Sequence, residues 1–308
     1  MTPRPNSTRA AVLIPFAIVT LIWGSTWIVI RDQLAGAGVP PSWSVSYRFL
    51  VAGLTLTAVA AWRGELGGAH RRDPGFWRFA ALVGLLQFVM NFNFVYRAEQ
   101  HITSGLVAVT FALLLVPNAL FGRIFLGQRL GRQLLAGSAI AMAGVALLFV
   151  REARGDANGA HQTVLGIALT LLAILSASVS NVMQATERAR RYPMVPMLAA
   201  AMLLGAGMDA VWAWLTTGPP VFDPRPSYIA GVLYLGLAAS ALAFTLYFRL
   251  IRVIGPAKAA YNSVIVPVIA MLLSTLYEGY RWTPLAAAGA ALAGVGLVVA
   301  LSARRPAR

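Results

Sequence analysis

Three amides fall within seven residues, at Gln87, Asn91 and Asn93, inside a run from 79 to 96 that carries no charge. Gln87 and Asn91 are four apart and so share one face of a helix. Amide groups surrounded by hydrocarbon are costly unless they meet protein or water, so such a face either bonds a neighbouring helix or lines a polar cavity. Three amides this close together, with Tyr96 beside them, favour the cavity. A second stripe joins Ser176, Ser180 and Gln184, with Asn181 next to it. Serines also suit close helix packing, so both readings stay open there. Trp23 and Trp27, again four apart, lie in the second half of the apolar run 10 to 30. They fit either an interfacial belt or a wall facing an apolar or aromatic solute. Tyr261 and Asn262, between Lys258 and Pro267, offer similar lining. The chemistry is recognition of a small molecule.

Two charges sit inside apolar runs and are candidates for coupling ion movement to that recognition. Asp209 lies past the middle of its run, where a carboxyl could load and release a proton as its exposure alternates; Glu278 and Glu99 are next in line. Arg48 lies about one turn inside its run, where a long side chain could also snorkel to the interface. Asp209 could instead pair with Arg48 or with backbone donors. Pro117 and Pro267 each free a backbone carbonyl one turn earlier, which suits a hinge, a hydrogen-bond acceptor for a solute, or a plain kink.

Bond-making chemistry finds no support. There is no cysteine, and His70, His101 and His161 lie in separate connections. No HExxH, no paired intramembrane aspartates and no phosphate-binding glycine loop followed by lysine are present, so neither an enzyme nor a cofactor is expected.

The elements that must position these groups are membrane helices. The chain has 308 residues, 58% hydrophobic and 11% charged, with a mean hydropathy of +0.71, outside the range of soluble domains. Ten apolar runs are long enough to cross a bilayer as helices: 10 to 30, 44 to 62, 77 to 96, 102 to 122, 132 to 150, 163 to 186, 194 to 217, 227 to 248, 259 to 277 and 282 to 302. The first is too long for a signal peptide and is expected to be retained.

Half of the chain is written twice. Ile102 to Val150 aligns with Ile254 to Leu301, pairing Pro117 with Pro267, Leu126 with Leu276, Gln128 with Glu278, and Gly144-Val145 with Gly294-Val295, all 150 residues apart. Glycines at 137, 144, 289, 294 and 296 read as helix-packing positions. Five helices per repeat is an odd number, so the repeats are inverted. Such pairs place a substrate site near the midplane and rock around it. The expected units are residues 1–152, a periplasmic link at 153–162, and residues 163–308.

With a cytoplasmic N-terminus, the inside segments hold eighteen of the 25 basic residues and the outside segments six, the last being Arg48. This puts both termini in the cytoplasm. It also accounts for the formal charge of +15 without nucleic acid, since the basic residues are scattered between apolar runs.

The order Trp23-Gly24-Ser25-Thr26-Trp27, Arg31, Arg48-Phe49, Tyr96-Arg97-Ala98 ahead of Ser104-Gly105-Leu106, Pro117, Ile254-Gly255-Pro256-Ala257 and Pro267 resembles the EamA-type branch of the drug/metabolite transporter superfamily. The resemblance covers both halves. It implies a ten-helix carrier that exports amino acids and related small metabolites across the bacterial inner membrane. One departure is Gln128, where the family's first repeat has glutamate; the second copy keeps Glu278. The expectation is an all-α membrane protein, ten transmembrane helices in two inverted five-helix repeats, working as a secondary exporter in the lipid bilayer, with proton coupling. The alternatives are a drug or organic-cation efflux pump, a passive channel and a non-transporting membrane subunit.

Overall fold

The structure is a computed structural model that describes residues 5–36, 38–127, 132–153, 157–259 and 262–301. Among these residues every regular element is helical. The principal helices are α1 (Pro5–Leu34), α2 (Pro41–Trp62), α3 (Pro74–Ala98), α4 (Ser104–Leu126), α5 (Arg132–Ala153), α6 (Ala157–Gln184), α7 (Met194–Thr217), α8 (Pro226–Ile254), α9 (Asn262–Tyr277) and α10 (Pro284–Leu301). Seven of them are long and apolar enough to cross a membrane. Shorter apolar helices, Leu135–Leu147, Ile265–Tyr277 and Pro284–Gly296, fall where the fifth, ninth and tenth spans were expected.

Proline opens α2, α3 and α8, where its missing N–H costs nothing and its fixed φ favours the first turn. Asp73 caps α3 by accepting the Gly75 amide at 2.7 Å. Gly127 ends α4 at φ +65°, a left-handed cap open to glycine. Within the segment read as a link at 153–162, residues 157–162 are the first turns of α6, which begins at Ala157. Asn158 and Gly159 each weaken a helix by no more than about 1 kcal/mol, and the long apolar helix that follows outweighs them.

The outward faces carry exposed leucines and valines, among them Leu21, Leu54, Leu172 and Val268. In water such a surface would aggregate; in lipid it is solvated. Helix pairs close where small residues let backbones meet. α5 packs along α10, α2 along α7, α1 against α9, and the second half of α3 against α6.

Both α3 and α8 contain a wider π-helical turn, at Gly84–Met90 and Leu237–Leu242. Gly84 and Gly236 precede or open these turns and are as far apart in the chain as Tyr96 and Phe248. A Cβ on Gly84 would lie 2.6 Å from the Ala201 carbonyl oxygen of α7. On Gly236 it would lie 3.1 Å from the Arg48 carbonyl oxygen of α2. The repeat is thus built into the packing, with the same distortion at the same kind of close approach in each half.

Candidate functional site

Between the halves lies a cavity of about 90 Å³, large enough for several water molecules. Its walls come from α1, α2, α3 and α4 on one side and α6, α8 and α9 on the other. Of the residues singled out in the sequence, Trp23, Trp27, Arg48, Gln87, Asn91, Asn181 and Pro267 meet here. Tyr261 lies outside the described residues, as does the side chain of Asn262.

The polar wall starts in the π-helical turn of α3. Gln87 in the turn and Asn91 just after it are buried, and Asn91 donates from Nδ2 to the Gln87 carbonyl at 3.2 Å. Gln87 Oε1 and Asn91 Oδ1 have no hydrogen-bond partner. Asn181 of α6 donates to Asn118 Oδ1 at 3.5 Å, across to α4, and its own Oδ1 is likewise unpartnered. Asn118 is fully buried beside Pro117. The helix tightens over Ala112–Leu114 just before that proline, whose ring cannot accept the ordinary turn. Pro117 therefore shapes the α4 wall from behind, whereas Pro267 is at the surface of the cavity itself.

The aromatic wall is built from Trp23, Trp27, Phe92, Phe111, Phe244 and Tyr247. Trp23 packs 5.2 Å from Phe244 and 4.7 Å from Tyr247, and its indole N–H reaches the Ala239 carbonyl at 3.1 Å. Trp27 lies 5.7 Å from Phe111, with its indole N–H unpartnered. Both tryptophans line the cavity. Phe244 and Tyr247, three apart on α8, escaped the sequence reading because α8 carries no amide or carboxylate to draw attention; their aromatic spacing was the available signal.

Arg48 does not snorkel. It is 1% exposed, the largest fully buried side chain among the described residues. Nε donates to Ser240 Oγ at 2.8 Å, and the guanidinium carbon stands 4.2 Å from the centre of the Phe92 ring. Tyr96 also bonds the guanidinium and the Glu99 carboxyl attracts it, but no carboxylate of the described residues stands within ion-pair distance and Nη1 has no partner. A cation–π contact supplies up to about 2 kcal/mol when desolvated, less than the several kcal/mol that burying an ion costs. The cavity is the place where that deficit is open to a ligand.

Asp209 lies away from this cavity. Its Oδ1 accepts from Asn93 Nδ2 at 2.5 Å, Asn93 Oδ1 accepts from Ser42 at 2.6 Å, and Arg97 reaches Ser42 at 3.4 Å. Asn93 thus faces α7 and α2, and its partner is Asp209; Arg48 takes no part in the chain. Ser176 donates to the Leu86 carbonyl at 2.7 Å, tying α6 to the π turn. Gln184 accepts from Arg252 at 3.3 Å at one end of the bundle.

At the other end, where α1, α3 and α9 finish, Arg31 bonds the Glu99 carbonyl and stands 3.7 Å from Glu278 Oε1. The Glu99 carboxyl is fully buried and neither of its oxygens has a partner. Burial holds it well above the usual carboxylate range and the charge of Glu278 raises it further, against the pull of Arg31 and Arg48.

The chain matches the model of the EamA-like transporter family twice, over residues 10–150 and 164–302. It belongs to that family. This EamA-like transporter is 32% identical over 258 residues to the uncharacterized inner membrane transporter YedA of Escherichia coli strain K12, covering 83% of this chain and 79% of the relative. It is 28% identical over 302 residues to a protein of Streptantibioticus cattleyicolor named as a probable terminal-alkyne amino-acid exporter, covering 95% and 93%. A crystal structure with 23% identity shares the fold at a TM-score of 0.70, over 95% of this chain and 97% of that one. The family and the apolar helices make the chain a membrane transporter of the drug/metabolite type.

Proposed function

We propose that this transporter is a secondary exporter of amino acids or closely related small metabolites in the bacterial inner membrane, working by alternating access with both termini in the cytoplasm. The observation that carries the reading is the cavity between the halves, where unpartnered buried donors and acceptors face one another beside an aromatic wall. Buried polar groups are normally satisfied, so an enclosed set that is not satisfied suits a polar solute that comes and goes. Among the described residues the lining contains an arginine and no acidic residue, which favours amino acids over organic cations. The names of relatives such as the Streptantibioticus exporter point the same way.

The test is purified protein in liposomes preloaded with unlabelled amino acids, with labelled amino acids outside. Saturable counterflow is expected. Flux that does not saturate would indicate a pore, and no flux with any amino acid would overturn the reading.

A further inference from the structure

Resting on that proposed function, we infer that Arg48 is the carboxylate anchor of the cavity: its guanidinium takes the carboxylate of an α-amino acid, while the amide oxygens opposite take the ammonium. The substrate class is therefore a zwitterion, held by the group that cations and neutral solutes lack.

Three features of the side chain carry this. Arg48 is 1% exposed and lines the cavity, so its charge is not shared with water outside the bundle. Its Nε is spent on Ser240, which fixes the plane of the guanidinium, while Nη1 remains unpartnered. No carboxylate of the described residues lies within ion-pair distance of it, although Glu99 attracts it from farther off, and Asp209 is bonded to Asn93 instead. A guanidinium in low dielectric that keeps an unpartnered Nη1 facing a cavity is a receptor for an anion, and its charge-assisted N–H suits a carboxylate oxygen.

The rest of the lining sorts by sign. Trp27 Nε1 is a second unpartnered donor. Gln87 Oε1, Asn91 Oδ1 and Asn181 Oδ1 are unpartnered acceptors from α3 and α6. An α-ammonium has three donors for such acceptors, and neutral amides hold it without adding a charge that would pair with Arg48. Trp23 and Phe244 leave an apolar face for the side chain of the amino acid.

The experiment measures counterflow in proteoliposomes for the amino acid that exchanges fastest, with two competitors: its decarboxylated amine and its deaminated acid. In the wild type the amine is expected to compete at least about 100-fold more weakly than the amino acid, because a site built around a polar partner rejects the analogue lacking it. The deaminated acid is expected to compete better than the amine. Arg48→Gln should bring amine and amino acid within about ten-fold of each other, and Arg48→Lys, which keeps charge and loses the fork, should fall between. An amine that competes as well as the amino acid in the wild type overturns the assignment even if Arg48→Gln fails to fold. So does an Arg48→Gln variant that keeps the wild-type discrimination. In both cases amino-acid exchange would still stand. Absence of exchange with every amino acid would instead remove the proposed function and the anchor together.

Discussion

Gly144 and Gly294 occupy the same place in the two copies of the repeat, yet alanine at each is expected to act in opposite directions. A Cβ on Gly144 would press on the Ala293 amide nitrogen and lie 2.6 Å from the Gly289 carbonyl oxygen and 2.8 Å from Ala293 Cα. Carbon contacts are ordinary at about 3.5–4.0 Å, and these neighbours are backbone, which cannot rotate aside. Relief requires α5 and α10 to part by roughly 1 Å, a gap that forfeits a quarter to a half of the dispersion attraction along the seam. Overpacking costs about 1–3 kcal/mol, and a backbone-to-backbone seam belongs at the upper end. A Cβ on Gly294 meets nothing within 4 Å. There alanine only restricts the unfolded chain and gains up to about 1 kcal/mol of helix propensity. The assay is thermal unfolding in detergent, read as the surviving monodisperse fraction on size exclusion. Gly144→Ala should melt well below the wild type, and Gly294→Ala at or above it. Gly296→Ala should follow Gly144→Ala, since its Cβ would meet the Ala141 backbone and the Gly137 carbonyl. Equal melting of the Gly144 and Gly294 variants would refute the seam as described.

Gln87→Ala and Asn91→Ala should each lower amino-acid counterflow at least about ten-fold, the equivalent of roughly 1.4 kcal/mol, with folded yield retained; normal flux in both would return these amides to packing. Asp209→Asn keeps an acceptor for Asn93 and is expected to preserve counterflow while losing accumulation driven by a pH gradient, and full accumulation would shift coupling to Glu99 or Glu278. The raised proton affinity of Glu99 means that the folded state binds its proton more tightly than the unfolded chain does. Stability in detergent should therefore fall as pH rises from the ordinary carboxylate range through the folded value, and Glu99→Gln should remove that decline; an unchanged pH profile would contradict it. Cysteines placed at Ala157 and Ala307 in this cysteine-free chain should label from opposite faces of the membrane, Ala307 from the cytoplasm, and labelling of Ala157 only from the cytoplasmic face would overturn the topology.

Much of the fold was legible because the bilayer leaves so few alternatives. Long uncharged apolar runs must be helices, and the doubling of Pro117, Leu126 and Gly144 at Pro267, Leu276 and Gly294 announced two units. The π-helical turns were not legible, since a single extra residue per turn leaves no mark in hydropathy. Of the site, i, i+4 spacing found the α3 amides and the α1 tryptophans. It misjudged the company of Arg48 and Asp209, because a charge in an apolar run says that a partner is needed without saying which. Asn93 supplied the partner for Asp209, and it stood among the cavity candidates only through its nearness to Asn91.

The repeat explains why the scaffold was easier to read than the site. At the offset that aligns Tyr96 with Phe248, Phe92 aligns with Phe244, and both line the cavity, 6.1 Å apart. At the same offset Gln87, Asn91 and Asn93 align with Ala239, Ala243 and Thr245. The aromatic ring survives in both copies, while the amides belong to the first alone. Duplication therefore fixes the backbone twice but allots most of the polar chemistry to one half, with Asn181 the contribution of the other. A solute bound by Arg48 and the α3 amides would be held mainly by the first repeat. Rocking of the second would then move Phe244, Tyr247 and Asn181 across the solute while its contacts with Arg48, Gln87 and Asn91 persist, which is how a site can stay occupied while its exposure changes sides.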